Sequence, residues 1–282
     1  FDNNIIFSDN RGTIFSISQN GEINWEKNIY KKIYKKVYKN LTFSIYQNNI
    51  YVADNIGFIY SIDLNDGKLV WIKNHGIPLK SNIKIYKEQI FLINQDNRIF
   101  CLNTKDGSKI WDIRSVPSFI KLQNFLSLAI SEQGDIITIN SSGDLLKINA
   151  KEGRVDWSLS TLGSTLAHAT DFFESSQIVI VDNTILFSSK ASFFSYDLNT
   201  GQMNWKQEVN SIGAPIIDGK NIFFITKNGY FVITNKDTGK IISSTSILKI
   251  LKKKKQSTWI TGFIMGSGKI YSVTLNGYLI VS

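Results

Sequence analysis

The stretch "YSIDLNDGKLVW", Tyr60–Trp71, decides the fold because the chain keeps returning to it. Versions recur at Phe100–Trp111 ("FCLNTKDGSKIW"), Leu146–Trp157 ("LKINAKEGRVDW") and Phe194–Trp205 ("FSYDLNTGQMNW"). A copy one residue shorter lies at Phe15–Trp25 ("FSISQNGEINW"). In the four full copies an apolar run meets Asp63, Asn103, Asn149 or Asp197, then Gly67, Gly107, Gly153 or Gly201, then a Trp four residues on. An Asx side chain accepts from the backbone N–H two residues ahead, and Gly lets the chain reverse. These Asp and Asn residues therefore need no metal and no catalytic base to explain them. A sixth copy, "TNKDTGKIISST", keeps Asn235 and Gly239 but has Ser243 where Trp belongs. Trp259, further along, is the candidate to fill that place.

Working outward, a hairpin precedes each of these turns. Examples are "NNIYVADNIG" from Asn48, "EQIFLINQDN" from Glu88 and "KNIFFITKNG" from Lys220. Each is an apolar run, a polar turn ending in Gly, and a second run, the Gly accepting positive φ. Asn97 and Ala191 stand where the other turns have Gly. One more apolar run leads in, as in "LTFSIY" at 41–46 and "SNIKIY" at 81–86. The unit is thus strand, strand, strand, Trp-bearing strand, repeating every 40–48 residues as measured between tryptophans. Four-stranded units at this period build a β-propeller.

The prediction is an all-β propeller of four-stranded antiparallel blades, with seven repeats visible and seven or eight blades in all. It forms one domain over residues 1–282, trimmed at one or both ends. The first copy lacks its opening strand and the seventh stops after three. The docking residues are Trp25, Trp71, Trp111, Trp157 and Trp205, with Gly67, Gly107, Gly153, Gly201 and Gly239. A four-stranded sheet has two apolar faces and must stack on neighbours to bury them. An indole buries roughly 150–250 Å², about 4–6 kcal/mol of gross transfer energy per blade junction.

Composition agrees. The 282 residues are 43% hydrophobic, with 18 Phe, 11 Tyr and 6 Trp but 3 Pro, a balance that favours strands. No apolar run reaches the roughly 18 residues a membrane span needs, and no leader peptide is visible. Cys101, the one cysteine, takes the place that Ser61 and Ser195 hold in sister copies, with no His at a matching position; it reads as structural filler. His75 and His168 lack metal-ligand spacing. No catalytic residue, cofactor ligand or metal ligand is predicted.

The net charge of +9 is local. "YKKIYKKVYKN" at 30–40 carries Lys31, Lys32, Lys35, Lys36 and Lys39, and "KILKKKK" at 249–255 carries Lys249 and Lys252, Lys253, Lys254 and Lys255. The rest of the chain is close to neutral. Both segments join a Trp-type strand to the next unit, so a propeller would place them on one face. They form either a positive patch for an anionic surface, such as lipid headgroups or an acidic protein, or a pair of solvated loops. Tyr30, Tyr34 and Tyr38 interleave with the lysines and could stack on bases. Their spacing beside Ile33 and Val37 fits a short packed segment equally, and nucleic acid is disfavoured. "SILKILKKKK" at 246–255 reads as one or two helical turns with Ile247, Leu248 and Leu251 turned inward.

The pattern D-L-x-x-G-K-x-x-W, preceded by x-x-D-N-x-G-x-x-Y-x-I, resembles the quinoprotein-type or PQQ-like repeat over essentially the whole chain. Catalytic members of that superfamily, the quinone-dependent dehydrogenases, carry calcium-binding groups, an Asp base and commonly adjacent cysteines, and haem-bearing members add a C-x-x-C-H; this chain has one Cys and no C-x-x-C-H. The other branch it resembles is the BamB family of outer-membrane assembly lipoproteins, which is little more than a propeller. A Trp-less penultimate repeat before a short last one ending "GYLIVS" is similar to that family's C-terminal arrangement. That family has eight blades and a lipid-bearing N-terminal Cys, neither of which is visible here.

The resemblance implies a non-enzymatic scaffold without cofactor on the periplasmic side of the outer membrane. Its implied partners are proteins, the β-barrel assembly machinery among them. The alternative is a quinone-binding or dehydrogenase-related protein.

Overall fold

The computed structural model describes residues 4–115, 125–161, 174–189, 192–249 and 258–282. Seven antiparallel sheets follow one another along the chain, five of four strands and two, the first and last, of three. The fold is the all-β propeller architecture that the repeat predicts. The first sheet is β1 (Asn4–Ser8), β2 (Thr13–Ser18) and β3 (Ile23–Asn28). A 3-10 turn at Lys32–Tyr34 leads to the second: β4 (Leu41–Tyr46), β5 (Asn49–Asp54), β6 (Phe58–Asp63) and β7 (Leu69–Asn74). The third is β8 (Lys84–Tyr86), β9 (Gln89–Ile93), β10 (Arg98–Asn103) and β11 (Lys109–Arg114). The fourth is β12 (Leu128–Ile130), β13 (Asp135–Ile139), β14 (Asp144–Asn149) and β15 (Val155–Ser160).

The fifth sheet is β16 (Val179–Val181), β17 (Thr184–Ser189), β18 (Ser192–Asp197) and β19 (Met203–Gln207). The sixth is β20 (Ile216–Asp218), β21 (Asn221–Ile225), β22 (Tyr230–Asn235) and β23 (Ile241–Ser246). The last is β24 (Ile260–Gly266), β25 (Lys269–Thr274) and β26 (Leu279–Val281). Contacts divide the chain into two compact units, the boundary running through the fourth sheet. Among the described residues no helix is long and apolar enough to cross a membrane.

Within every full sheet the middle pair of strands is the core. β5 and β6 bury Ile50, Tyr51, Val52, Ile59, Tyr60 and Ile62, and β9 and β10 bury Ile90, Phe91, Leu92, Ile99, Cys101 and Leu102. Consecutive residues on one strand are buried because both faces of the sheet are covered, so the apolar runs are continuous rather than alternating. Outer strands such as β7 bury little beyond their Trp.

One irregularity recurs. The last two strands slip register beside the Trp position in six sheets: after Ser16, Ser61, Cys101, Lys147, Ser195 and Ile233. One extra residue of the outer strand, such as Val70 between Leu69 and Trp71, is left without a partner, which is a β-bulge. The residue paired across from the Trp is small in four of five cases: Ser16, Ser61, Cys101 and Ser195. Cys101 is fully buried there, which matches its reading as filler. In the sixth sheet the pairing is inverted, large Ile233 facing small Ser243. Trp259 does not supply the lacking indole: its side chain is 56% exposed.

The hairpin turns carry the expected left-handed residue. Gly57 has φ 113°, Gly143 81°, Gly229 73°, and Asn97 takes the same region at 58°. Asn97 is buried and does more than turn: its amide donates to Ser141 Oγ at 2.5 Å while its carbonyl accepts from the Ser141 N–H at 3.1 Å. Ala191 lies outside the described residues.

Candidate interaction site

The recurring polar residues of the repeat are consumed by architecture. Asp63 Oδ1 accepts from the Asn65 N–H at 2.8 Å, and Asn103, Asn149, Asp197 and Asn235 do the same two residues ahead. The Gly that follows donates its N–H to the carbonyl of that Asx residue, at 3.0 Å for Gly67 and 2.9 Å for Gly107, Gly153, Gly201 and Gly239. Each Trp then reaches the next copy's turn. Its indole N–H donates to the carbonyl three residues before that Gly: Trp25 to Leu64, Trp71 to Thr104, Trp111 to Ala150, Trp157 to Leu198 and Trp205 to Lys236, at 2.8–3.2 Å. A Cβ on the same Gly would fall 2.5–2.8 Å from the indole at Gly67, Gly107, Gly153 and Gly239, and 3.2 Å at Gly201. So the Gly is required twice, for its φ near 70° and for the ring lying against it.

The titratable groups considered for catalysis have structural surroundings. Burial pushes the Cys101 thiol up to about 12, so no thiolate forms near neutral pH. His75 is half-buried against Phe100, ring centroids 4.8 Å apart. Burial, then Lys109 and Arg98, lowers its pKa and keeps it neutral. His168 lies outside the described residues. Among the described residues no group of three or more His, Cys, Asp or Glu gathers to hold a metal ion.

What remains is the lysine loop between β3 and β4, and it is anchored rather than loose. The Tyr30 hydroxyl donates to Asp54 Oδ2 at 2.6 Å. Asp54 is itself buried, and its Oδ1 accepts from the backbone N–H groups of Ile56, Gly57 and Phe58 at 2.8–2.9 Å. Burial, then Tyr60 and Asp54, raises the Tyr30 phenol, so it stays protonated and donates. Tyr30 and Tyr34 both meet Phe58 edge-on, at 6.4 and 5.6 Å between centroids. Asn55 accepts from the Asn40 N–H at 2.8 Å and donates to the Tyr38 carbonyl at 3.0 Å. The Lys39 N–H donates to Asn10 O at 2.9 Å, tying the loop to the first sheet's hairpin as well.

The loop thus sorts its residues in a way the sequence did not reveal. Lys31, Lys32, Lys35 and Lys36 are exposed. Lys39 is not: it is 5% exposed, donates to the Tyr34 carbonyl and lies over the Tyr30 ring at 4.8 Å. Burial lowers its pKa, with Asp54 and Asp9 opposing. Lys39 therefore belongs beneath the patch rather than on its surface. Ile33 and Val37 are exposed rather than packed, because Tyr30 and Tyr34 already fill the contact with Phe58. The second basic segment, Lys252, Lys253, Lys254 and Lys255, lies outside the described residues, as does Leu251. Ile247 and Leu248 before it are buried with Ile225, Ile260 and Ile270, as expected.

Comparison with known proteins places these features in a family. The family model described as "Outer membrane protein assembly factor BamB" matches residues 10–245. Among curated relatives, outer membrane protein assembly factor BamB of Yersinia pestis is 20% identical over 256 residues, covering 82% of this chain and 60% of the relative. That of Moranella endobia is 20% identical over 265 residues, covering 86% and 63%. The chain thus spans about three fifths of the length of these relatives. The crystal structure of BamB from Moraxella catarrhalis superposes with a TM-score of 0.78 at 13% identity, covering 100% of this chain and 86% of that one. On the breadth of the match to the family model, the chain belongs to the outer membrane protein assembly factor BamB family of PQQ-like propellers.

Proposed function

We propose that this propeller is a non-catalytic scaffold of the cell envelope, acting on the periplasmic side of the outer membrane in the assembly of outer-membrane proteins. The observation that carries this reading is the family match across residues 10–245. The chemistry of the chain supports it. The repeated Asp, Asn, Gly and Trp residues hold sheet to sheet, the cysteine is buried, and the loops are the surfaces left to bind. The partners are proteins of the β-barrel assembly machinery. The docking residues are the five Trp and five Gly positions, whose role is to keep the loops in fixed relation.

The test is co-purification of the tagged chain with the β-barrel component of that machinery, followed by complementation of a strain lacking its own family member. Retention of the barrel component and restored outer-membrane protein levels are expected. Failure of both, together with a large rise in melting temperature on adding calcium and pyrroloquinoline quinone, would replace this reading with the quinone-binding one.

A further inference from the structure

Two clefts flank Tyr30 and differ in chemistry. One, about 330 Å³, is lined mostly by Ile29, Ile33, Tyr34, Phe58 and Ile72, together with Lys31 and Asn74. The other, about 470 Å³, is lined by Arg11, Thr13, Asn28, Lys35 and Lys39. Among the described residues none of Arg11, Lys31, Lys32, Lys35, Lys36 and Lys39 makes an ion pair. The neighbouring carboxylates are otherwise engaged. Asp9 Oδ1 accepts from the backbone of Arg11 and Thr13, and Asp54 holds Tyr30 and three backbone N–H groups. Lys39, the buried one of these cations, is offset by the nearby Asp54 and Asp9 charges, whereas Arg11 and the four exposed lysines present their charge to an outside anion. Around these clefts the loop tip projects Ile33, 74% exposed, and Tyr38, 76% exposed, with Val37 between them, amid four exposed lysines.

We propose that the 29–40 loop is a docking element for a bilayer of anionic phospholipid. Ile33, Val37 and Tyr38 enter the headgroup boundary, where aromatic and aliphatic side chains are favoured. Lys31, Lys32, Lys35 and Lys36 lie among the headgroups. One lipid phosphate occupies the basic cleft against Arg11 and Lys35, with Lys39 forming its buried floor, and the upper part of its acyl chain follows the apolar cleft past Phe58. A soluble phosphate would leave the apolar cleft and the projecting Ile33 and Tyr38 unexplained. An acidic protein segment would leave the apolar cleft beside the cations unused. The Tyr30–Asp54 anchor makes the element preformed, so little ordering cost opposes binding. This docking stands apart from the assembly role: vesicle binding needs no protein partner, and partner binding needs no vesicle.

The experiment is flotation of the purified full chain with vesicles of phosphatidylcholine alone, and of phosphatidylcholine with about one third phosphatidylglycerol. Binding to the second and not the first is expected, weakening as salt rises. Each Lys→Gln change among the four exposed lysines should lower vesicle partitioning about fivefold at low salt. Ile33→Ser with Tyr38→Ser should lower it roughly tenfold or more, and should do so in high salt as well. Circular dichroism and melting of each variant report folding; if the fourfold lysine variant does not fold, Lys35→Gln alone decides. The proposal is overturned if the lysine variants bind as the wild type does. It is equally overturned if inorganic phosphate at the same phosphate concentration releases the chain, or if polyglutamate binds as tightly and ignores the Ile33 and Tyr38 changes.

Discussion

Trp71 lies against Gly107 of the following sheet so closely that a methyl group there would sit 2.6 Å from the indole, while the indole N–H donates to the Thr104 carbonyl at 2.9 Å. The pair joins two sheets through one turn, and the same relation recurs at the other four docking tryptophans.

Trp71→Ala should cost about 3–5 kcal/mol, the range for emptying a buried aromatic site. Gly107→Ala should cost about 1–3 kcal/mol by overpacking and by its positive φ. In the Trp71→Ala background the clash is gone, and only the backbone penalty of roughly 1–2 kcal/mol remains. A double-mutant cycle by urea denaturation measures this. Strictly additive effects would show that the two residues do not meet.

Asn97 replaces the Gly of sister turns, so Asn97→Gly looks harmless from the repeat. It should instead destabilise by about 1–2 kcal/mol, because the two hydrogen bonds to Ser141 go with the side chain. Ser141→Ala should recover part of the same loss and couple to Asn97. An Asn97→Gly variant as stable as the wild type in denaturant would remove the side chain from the account.

Cys101 should resist thiol reagents in the native state at pH 8 and react only on unfolding, since it is fully buried. Its pKa is raised to about 12 in the fold, against near 8.5 unfolded. The unfolded chain therefore loses this proton first. The contribution to stability is full below about pH 8.5 and falls as pH rises toward the folded value, by about 1.4 kcal/mol per pH unit. Cys101→Ser removes that slope. Denaturation curves of the two proteins at pH 8, 9 and 10, differing by a constant amount, would contradict it.

Tyr30→Phe deletes the donor to Asp54 and leaves a buried carboxylate short of a partner, a loss of about 1.5–3 kcal/mol. The loop should loosen before the sheets do. Brief trypsin digestion should cut after Lys31, Lys32, Lys35 and Lys36 faster than in the wild type, with the remaining fragment intact. Unchanged cleavage rates would mean that the Asn55 contacts and the Lys39 N–H hold the loop alone.

The turns were legible because their physics is local. An Asx side chain two residues from its donor and a Gly at positive φ are written in consecutive positions, and six copies in register made the period visible. The same locality explains Ile247 and Leu248, buried as their spacing predicts. The small residue opposite four of the five tryptophans was legible only in hindsight, in the shared place of Ser61, Cys101 and Ser195. The bulge beside it was not, because it is a difference of register between two strands and appears in neither strand alone.

The candidate site divides along the same line. By itself the sequence determined the blade unit, its recurring Asx, Gly and Trp positions and the position of the lysines. Only the tertiary structure decided that Lys39 is buried while its four neighbours are exposed, and that Ile33 and Tyr38 project while Tyr30 and Tyr34 pack. Those outcomes rest on Asp54 and Phe58, which belong to the next sheet's hairpin. Spacing within a segment cannot encode which partner a neighbouring element brings, because burial is settled by contacts between parts of the chain that folding alone makes adjacent.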